Sequence, residues 1–188
     1  MKHNNLIGIY GGAFNPFHNG HKLVIKTSQK ILNLKKLYLF PSYSNPMKPN
    51  NNLKDFNKNI IKLRLATKDL DVKVSSLEQS LKTKTTYDFL FKINKKCDLN
   101  KFVLIIGLDQ IWQFHDWYEY EWVVNNINIC IINRPRYDAN IDKTIIYKKF
   151  SKYFMGSVEN FLNSSAPNLH FIKTEGIEIS SSSIRKKK

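Results

Sequence analysis

Residues 6–21 have the sequence Leu-Ile-Gly-Ile-Tyr-Gly-Gly-Ala-Phe-Asn-Pro-Phe-His-Asn-Gly-His. A short apolar run that stops at two glycines is typical of a buried strand entering a tight turn, so we predict a strand over Leu6–Tyr10. Apolar spacing downstream predicts a helix over His21–Leu32. The inner side of that helix is expected to carry Leu23, Val24, Thr27, Ile31 and Leu34.

The same alternation of strand and helix continues along the chain. Further strands are predicted over Lys36–Phe40, Val72–Ser75, Lys101–Ile106, Asn128–Ile132 and Leu169–Ile172. Further helices are predicted over Phe56–Leu70, Tyr87–Lys96 (capped by Thr85 or Thr86), Asp109–Trp112, Glu119–Asn126 and Ser181–Lys188, and Tyr147–Phe161 is ambiguous. Helix Phe56–Leu70 is expected to use Ile60, Ile61, Leu63 and Leu65 as its apolar positions.

The strands are apolar runs without polar alternation, which indicates a parallel sheet covered on both faces. The predicted fold class is α/β, a doubly wound, Rossmann-like parallel sheet with helices on both faces, in one domain over residues 1–188. Ligands of such sheets lie at the carboxyl ends of the strands. The segments predicted at those ends are Gly11–His21, Gly107–Asp109 and Arg134-Pro135-Arg136.

Composition limits the classes of protein that remain. The chain has 188 residues, 42% of them hydrophobic, which suits one folded domain, and a net charge of +15. A basic, non-catalytic nucleic-acid-binding module is therefore an alternative, although the lysines are scattered and we interpret most of the charge as compositional. With two cysteines, no apolar run of membrane-spanning length and no signal-like start, we expect a cytoplasmic protein.

His18 and His21 carry the most specific chemical signal. They lie three residues apart at a helix start, so both rings can face one point. Glycines let the backbone approach a phosphate, and the helix N-terminus offers N–H groups and a positive dipole end. The alternatives are a metal site, for which a third ligand is not evident in the sequence, and two surface histidines. Phosphate binding is the interpretation we favour.

His18-Asn-Gly-His21 after a glycine turn resembles the His-x-Gly-His signature of the nucleotidylyltransferase superfamily. The run Ile179-Ser-Ser-Ser-Ser-Ile-Arg185 resembles its second signature, Ile-Ser-Ser-Thr-x-Ile-Arg. Three internal segments resemble bacterial nicotinate-nucleotide adenylyltransferases in order and spacing. These segments are Pro41–Lys48, Ile105–Trp117 and Ile131–Pro135.

This resemblance implies adenylyl transfer from ATP to nicotinate mononucleotide, with Mg²⁺ brought by ATP and no direct protein ligand set. His18 and His21 are implied to be catalytic. The ATP-binding residues implied are Gly11, Gly12, Ala13, Phe14, His18, His21, Gly107, Asp109, Ser181, Ser182 and Arg185. Asp109 is further implied to approach the ribose and, through water, the metal, and the Ser-Ile-Arg helix over about 180–188 to close the phosphate site.

For the nicotinate nucleotide, the residues implied are Asn15, Lys48, Thr85, Thr86, Trp117, Tyr118 and Arg134. Trp117 would stack on the pyridine ring. The family's Ser-Tyr-Thr turn is replaced here by Lys84-Thr85-Thr86, so its Tyr is missing, and Asn15 replaces a commoner Asp. Phosphopantetheine adenylyltransferases and glycerol-phosphate-type cytidylyltransferases are alternatives within the superfamily. The expected partners are the two small substrates, with neither nucleic acid nor membrane.

Overall fold

The computed structural model describes residues 5–43, 53–133 and 140–174. Among them, the strands are β1 (Ile7–Gly12), β2 (Lys36–Pro41), β3 (Lys73–Val74), β4 (Phe102–Gly107), β5 (Asn128–Ile132) and β6 (Leu169–Ile172). The α-helices are α1 (Asn19–Leu32), α2 (Leu53–Ala66), α3 (Leu77–Ser80), α4 (Thr86–Asn94), α5 (Leu108–Ile111), α6 (Tyr120–Asn126), α7 (Ile145–Phe150) and α8 (Val158–Asn163).

All of these strands pair in parallel in the order β3-β2-β1-β4-β5-β6. The chain builds one half of the sheet outward from β1, then returns to its centre to begin the other half at β4. This is the doubly wound order, and the predicted fold class is confirmed. The carboxyl ends of β1 and β4 therefore meet at the centre of one edge.

Side chains alternate along each strand between two cores. Ile9, Leu104 and Ile129 belong to one core, which α4, α5, α6 and α7 cover. The other core lies on the opposite face and is covered by α1, α2 and α8, with residues that include Tyr10, Val103, Cys130, Val24, Leu63 and Phe161. Both faces are apolar, which is why the strands lack a polar alternation in sequence.

The inner faces of α1 and α2 differ from the prediction. In α1 the buried residues include Ile25, Ser28 and Leu32, whereas Leu23, Thr27 and Ile31 are only half-buried. In α2, Ile60 and Leu63 are buried, but Ile61 and Leu65 are 58% and 66% exposed. Both predicted stripes were partly wrong, because apolar residues lie around most of each helix and the sheet decides which arc is covered.

Smaller differences concern lengths and one missed element. The predicted strand Val72–Ser75 is only Lys73–Val74, and α3 was not predicted. The ambiguous stretch Tyr147–Phe161 contains the end of α7, a 3-10 turn at Ser151–Tyr153 and the start of α8. The predicted helix Ser181–Lys188 lies outside the described residues.

Candidate active site

The centre of the carboxyl edge is lined by backbone without side chains. β1 ends at Gly12 and β4 at Gly107. Gly11 is exposed, and a Cβ built on it would meet nothing within 4 Å. In doubly wound sheets, ligands bind in the crevice where the strand order reverses. The structure thus has open space beside bare backbone where the sequence predicts the nucleotide phosphates.

His18 is the N-cap of α1, and His21 is its third residue. Nδ1 of His18 accepts the Gly20 N–H at 3.1 Å, and Nδ1 of His21 accepts the His18 N–H at 3.2 Å. Each ring therefore uses Nδ1 as an acceptor, which places the proton of a neutral imidazole on Nε2. The arrangement makes both Nε2 atoms hydrogen-bond donors at a helix N-terminus, where anions are favoured.

Aromatic rings hold the two imidazoles in place. The rings of His18 and His21 stack with centroids 3.8 Å apart. Phe17 stacks on His21 at 5.5 Å, and Phe14 meets the same ring edge-on at 5.0 Å. Both histidines are buried, at 7% and 6% exposure. The histidines are therefore packed side chains in fixed positions, which excludes the interpretation as ordinary surface residues.

Phe14 itself has a constrained backbone. Its φ is 46°, in the left-handed region that a bulky residue rarely adopts, and its side chain is only 2% exposed. Nδ2 of Asn59, on α2, donates to the neighbouring Ala13 carbonyl at 2.9 Å and holds the turn from outside. Strained backbone that its surroundings enforce is concentrated at functional sites. Because the Phe14 ring is buried, it contributes to the site by packing against His21.

Asp109 lies at the end of β4, across from β1 at the point where the strand order reverses. It is in the first turn of α5, directly after β4. One of its carboxylate oxygens, Oδ2, accepts a hydrogen bond from Nε2 of Gln110 at 2.9 Å. Gly107, which precedes the turn, is the N-cap of α5. The sheet order therefore brings Asp109 to the same edge as His18, as the sequence predicts.

The turn before α4 is locked by a reciprocal pair of hydrogen bonds. Oγ1 of Thr85 accepts the Asp88 N–H at 3.0 Å, while Oδ2 of Asp88 accepts the Thr85 N–H at 3.1 Å. This capping box confirms Thr85 as the N-cap of α4. Because the N–H groups of Thr85 and Asp88 are both engaged in this box, the backbone donors at the start of α4 are the N–H groups of Thr86 and Tyr87.

Trp117 and Tyr118 lie between α5 and α6. The Trp117 ring packs on Phe114 at 4.6 Å, and Phe114 is fully buried. Tyr118 is 61% exposed, and its ring lies edge-on to Tyr87, next to Thr86, at 5.5 Å. The structure therefore brings the Thr85-Thr86 turn and the Trp117-Tyr118 segment together, although more than 30 residues separate them.

The chain resembles known proteins in both sequence and fold. A family model described as cytidylyltransferase-like matches residues 9–187. A Pelagibacter ubique protein named as a nicotinate-nucleotide adenylyltransferase is 32% identical over 184 residues, which are 96% of this chain and 92% of that protein. The chain belongs to the nicotinate-nucleotide adenylyltransferase family. A Rhizobium johnstonii protein of the same name is 31% identical over 130 residues, which are 69% of this chain and 65% of that protein.

The fold is that of a solved member of this family. The structure of Plasmodium falciparum nicotinic acid mononucleotide adenylyltransferase complexed with NaAD resembles the chain with a TM-score of 0.72. The match covers 96% of this chain and 82% of that one, at 20% identity. At this identity the likeness establishes the architecture, and the roles of individual residues rest on the geometry above.

Some residues that the family resemblance assigns to substrates cannot be located. Lys48, Arg134, Ser181, Ser182 and Arg185 lie outside the described residues, as do the helix over about 180–188 and its predicted closure of the phosphate site. Their roles stay predictions. Asn15 and Ala13 are exposed in the loop between β1 and α1.

Two kinds of feature are absent from the described residues. Within residues 5–43, 53–133 and 140–174, no group of three or more His, Cys, Asp or Glu side chains could hold a metal ion. None of the helices in this part of the chain combines the length and apolar character that a bilayer crossing requires.

Two contributors to the site were missed in the sequence. Asp88 was detectable, because Thr followed three residues later by an acidic residue at a helix start is a capping-box pattern. Glu78, in the first turn of α3, carries no local signal. Its Oε2 accepts the Tyr43 N–H at 3.3 Å, just beyond the end of β2, and its carbonyl accepts the Thr83 N–H at 3.0 Å.

Among the carboxyl groups of the described residues, Glu78 has the pKa that departs furthest from its ordinary value. Burial raises the pKa of Glu78 from an ordinary value of 4.5 to about 7, and the Tyr43 hydrogen bond partly opposes the rise. Between these two pH values the folded chain holds a proton that the unfolded chain has lost. Stability must therefore fall as pH rises through this window.

We expect Glu78→Gln to remove this pH dependence. Gln keeps an oxygen acceptor for Tyr43 but has no charge to bury, so the variant gains stability relative to the native chain from pH 5 to pH 8. The difference is at most about 3 kcal/mol for a shift of this size. Urea unfolding at both pH values measures it. Glu159→Gln, on the exposed start of α8, removes the same charge at the surface and is the control; equal pH effects in both variants contradict the prediction.

Proposed function

We propose that the chain transfers the adenylyl group of ATP to nicotinate mononucleotide, giving nicotinate adenine dinucleotide and pyrophosphate. The observation that carries this proposal is the stacked pair His18 and His21, in which Nδ1 of each ring accepts a backbone N–H, so that Nε2 is the donor nitrogen of each neutral ring. The pair stands at a helix N-terminus, next to bare glycine backbone. Family membership supports the choice of substrates.

The reaction needs positioning and charge stabilisation. A phosphate oxygen of nicotinate mononucleotide attacks the α-phosphorus of ATP and forms the new P–O bond. The bond from the α-phosphorus to the bridging oxygen breaks in line, and its electron pair leaves with pyrophosphate. No protein nucleophile is required. His18 and His21 donate hydrogen bonds to the phosphate oxygens whose charge increases in the transition state.

Nicotinate mononucleotide has a carboxylate on its pyridine ring where nicotinamide mononucleotide has an amide. A carboxylate only accepts hydrogen bonds, so a site that selects it needs N–H donors. The first turn of α4 offers such donors in the N–H groups of Thr86 and Tyr87, at the positive end of the helix dipole. Trp117, supported by Phe114, supplies a flat ring for the pyridine to stack on.

The site suits Mg²⁺ that enters bound to ATP. Asp109 provides the carboxylate oxygens that Mg²⁺ prefers, at the edge where the phosphates would lie. The ion would be bound mainly by ATP phosphates, with Asp109 reaching it through water. It supplies neutralisation of phosphate charge when bound.

The proposed compartment is the cytoplasm. Cys97 is exposed and Cys130 is buried on β5, and both are free thiols, which suits a reducing environment. The proposed partners are the two nucleotide substrates. The scattered lysines give no reason to add nucleic acid.

A substrate panel with a pyrophosphate readout tests the proposal. Purified chain with ATP and Mg²⁺ should release pyrophosphate with nicotinate mononucleotide, and less with nicotinamide mononucleotide. Release with phosphopantetheine or glycerol phosphate, and none with nicotinate mononucleotide, overturns the substrate assignment. No turnover, together with salt-sensitive binding to arbitrary nucleic acid, would favour the binding-module alternative.

A further inference from the structure

An aromatic cluster lies beside the turn at the start of α4. It consists of Tyr87 and Phe91 on α4, Tyr118, and Trp122 on α6. Tyr87 is at its centre, because its ring contacts each of the other three: Trp122 at 5.1 Å, Phe91 at 5.4 Å and Tyr118 at 5.5 Å. The cluster joins two segments that face the nicotinate nucleotide.

The backbone of Tyr87 is fixed independently of this cluster. Tyr87 lies between Thr85 and Asp88, whose reciprocal hydrogen bonds lock the first turn of α4. The direction in which its side chain leaves the helix is therefore set by the capping box. Because the backbone that carries this ring is fixed, the ring can hold a more exposed neighbouring side chain in one position.

Tyr118 is that neighbour. Its side chain is 61% exposed, and within the part of the chain that the structure describes its ring contact is the edge-on one to Tyr87. Trp122, in contrast, contacts both Tyr87 and Phe91, at 5.1 and 5.8 Å. Losing the Tyr87 ring would leave Trp122 packed and Tyr118 without its aromatic support.

We propose that Tyr87 is a positioning residue of the nicotinate nucleotide site, which holds Tyr118 against the first turn of α4 and thereby sets the slot for the pyridine ring. This inference rests on the proposed function. By the family resemblance, the turn Lys84-Thr85-Thr86 lacks the Tyr of the Ser-Tyr-Thr turn. The aromatic wall comes from two residues further along, on the helix.

Kinetics of Tyr87→Leu tests the proposal. We expect the KM for nicotinate mononucleotide to rise about tenfold, because loss of one good contact changes a binding constant by that order. The KM for ATP and kcat should stay within about twofold, since the triphosphate side is untouched. Tyr87→Phe keeps the ring and should restore the native KM. Tyr87→Met, whose unbranched and flexible side chain can fill an irregular gap, is the second variant if Leu unfolds the chain.

A matched control and a double variant separate positioning from general stability. Tyr147→Leu removes another half-buried tyrosine, whose ring packs on Phe154 at 4.8 Å. Phe154 pairs with Leu169, the first residue of β6, so this contact lies towards the opposite edge of the sheet. It should alter neither KM. Adding Tyr87→Leu to Tyr118→Leu should raise the nicotinate nucleotide KM no further.

The outcomes distinguish this inference from the function on which it rests. Native chain that releases no pyrophosphate from ATP and nicotinate mononucleotide overturns both. Active native chain, with either an unchanged KM in Tyr87→Leu or an equal rise for both substrates, overturns the role of Tyr87 alone. Additive effects of the Tyr87 and Tyr118 replacements also contradict it.

Discussion

Replacing His18 by asparagine is expected to lower kcat by about 100-fold or more while the chain remains folded. Removal of one donor to a developing phosphate charge costs this much in comparable sites. Asparagine is chosen because it is among the best N-cap residues and can take over the acceptor role of Nδ1 towards the Gly20 N–H. It has no equivalent of the Nε2 donor.

Two other variants show which property of His18 matters. His18→Ala removes both cap and donor, so it should lose about 1 kcal/mol of stability in addition to activity. His170→Gln changes another buried histidine, which lies on β6 with its Nδ1 2.8 Å from the Met155 carbonyl, and should leave kcat unchanged. Pyrophosphate release and urea unfolding measure the two effects. Near-native turnover of His18→Asn would refute the catalytic role.

The second large effect is expected at Gly11. A Cβ there meets no protein atom within 4 Å, and none of the described glycines has a positive φ, so a side chain costs the fold nothing at this position. That open space is where we place substrate. Gly11→Val should therefore lower kcat/KM at least tenfold with little change in stability, and Gly11→Ala should be intermediate.

Gly8, in the same strand, should behave in the opposite way. A Cβ at Gly8 would lie 2.6 Å from Leu37 Cδ1 and 2.7 Å from Leu34 Cδ1. Gly8→Ala should thus cost about 1–3 kcal/mol through overpacking, while the folded fraction keeps its native kcat/KM. Urea unfolding with initial rates on the same samples checks the contrast. A stable, fully active Gly11→Val would show that this position borders no substrate.

Much of the fold was predictable because its signals are local. Strands β1 and β4 and the cap at Thr85 follow from apolar runs, glycine turns and helix-capping residues, although β1 extends two residues past its predicted end at Tyr10 and β4 one residue past Ile106. Failures came where a long-range contact decides. Ile61 and Leu65 are apolar in sequence, yet no element of the sheet covers them. The predicted strand Val72–Ser75 pairs with β2 over only two residues, which the local apolar pattern does not reveal.

The candidate site shows the same division. The sequence by itself determined which chemical groups are present and that His18, His21 and Asp109 follow strand ends, since chain order and residue type are enough for that. Only the tertiary structure decided that both Nδ1 atoms are engaged by backbone, that the half-buried Glu78 carboxyl group accepts the Tyr43 N–H, and that Tyr87 supports Tyr118. Those properties depend on neighbours that are distant in sequence or on a specific backbone path, so spacing alone could not reveal them.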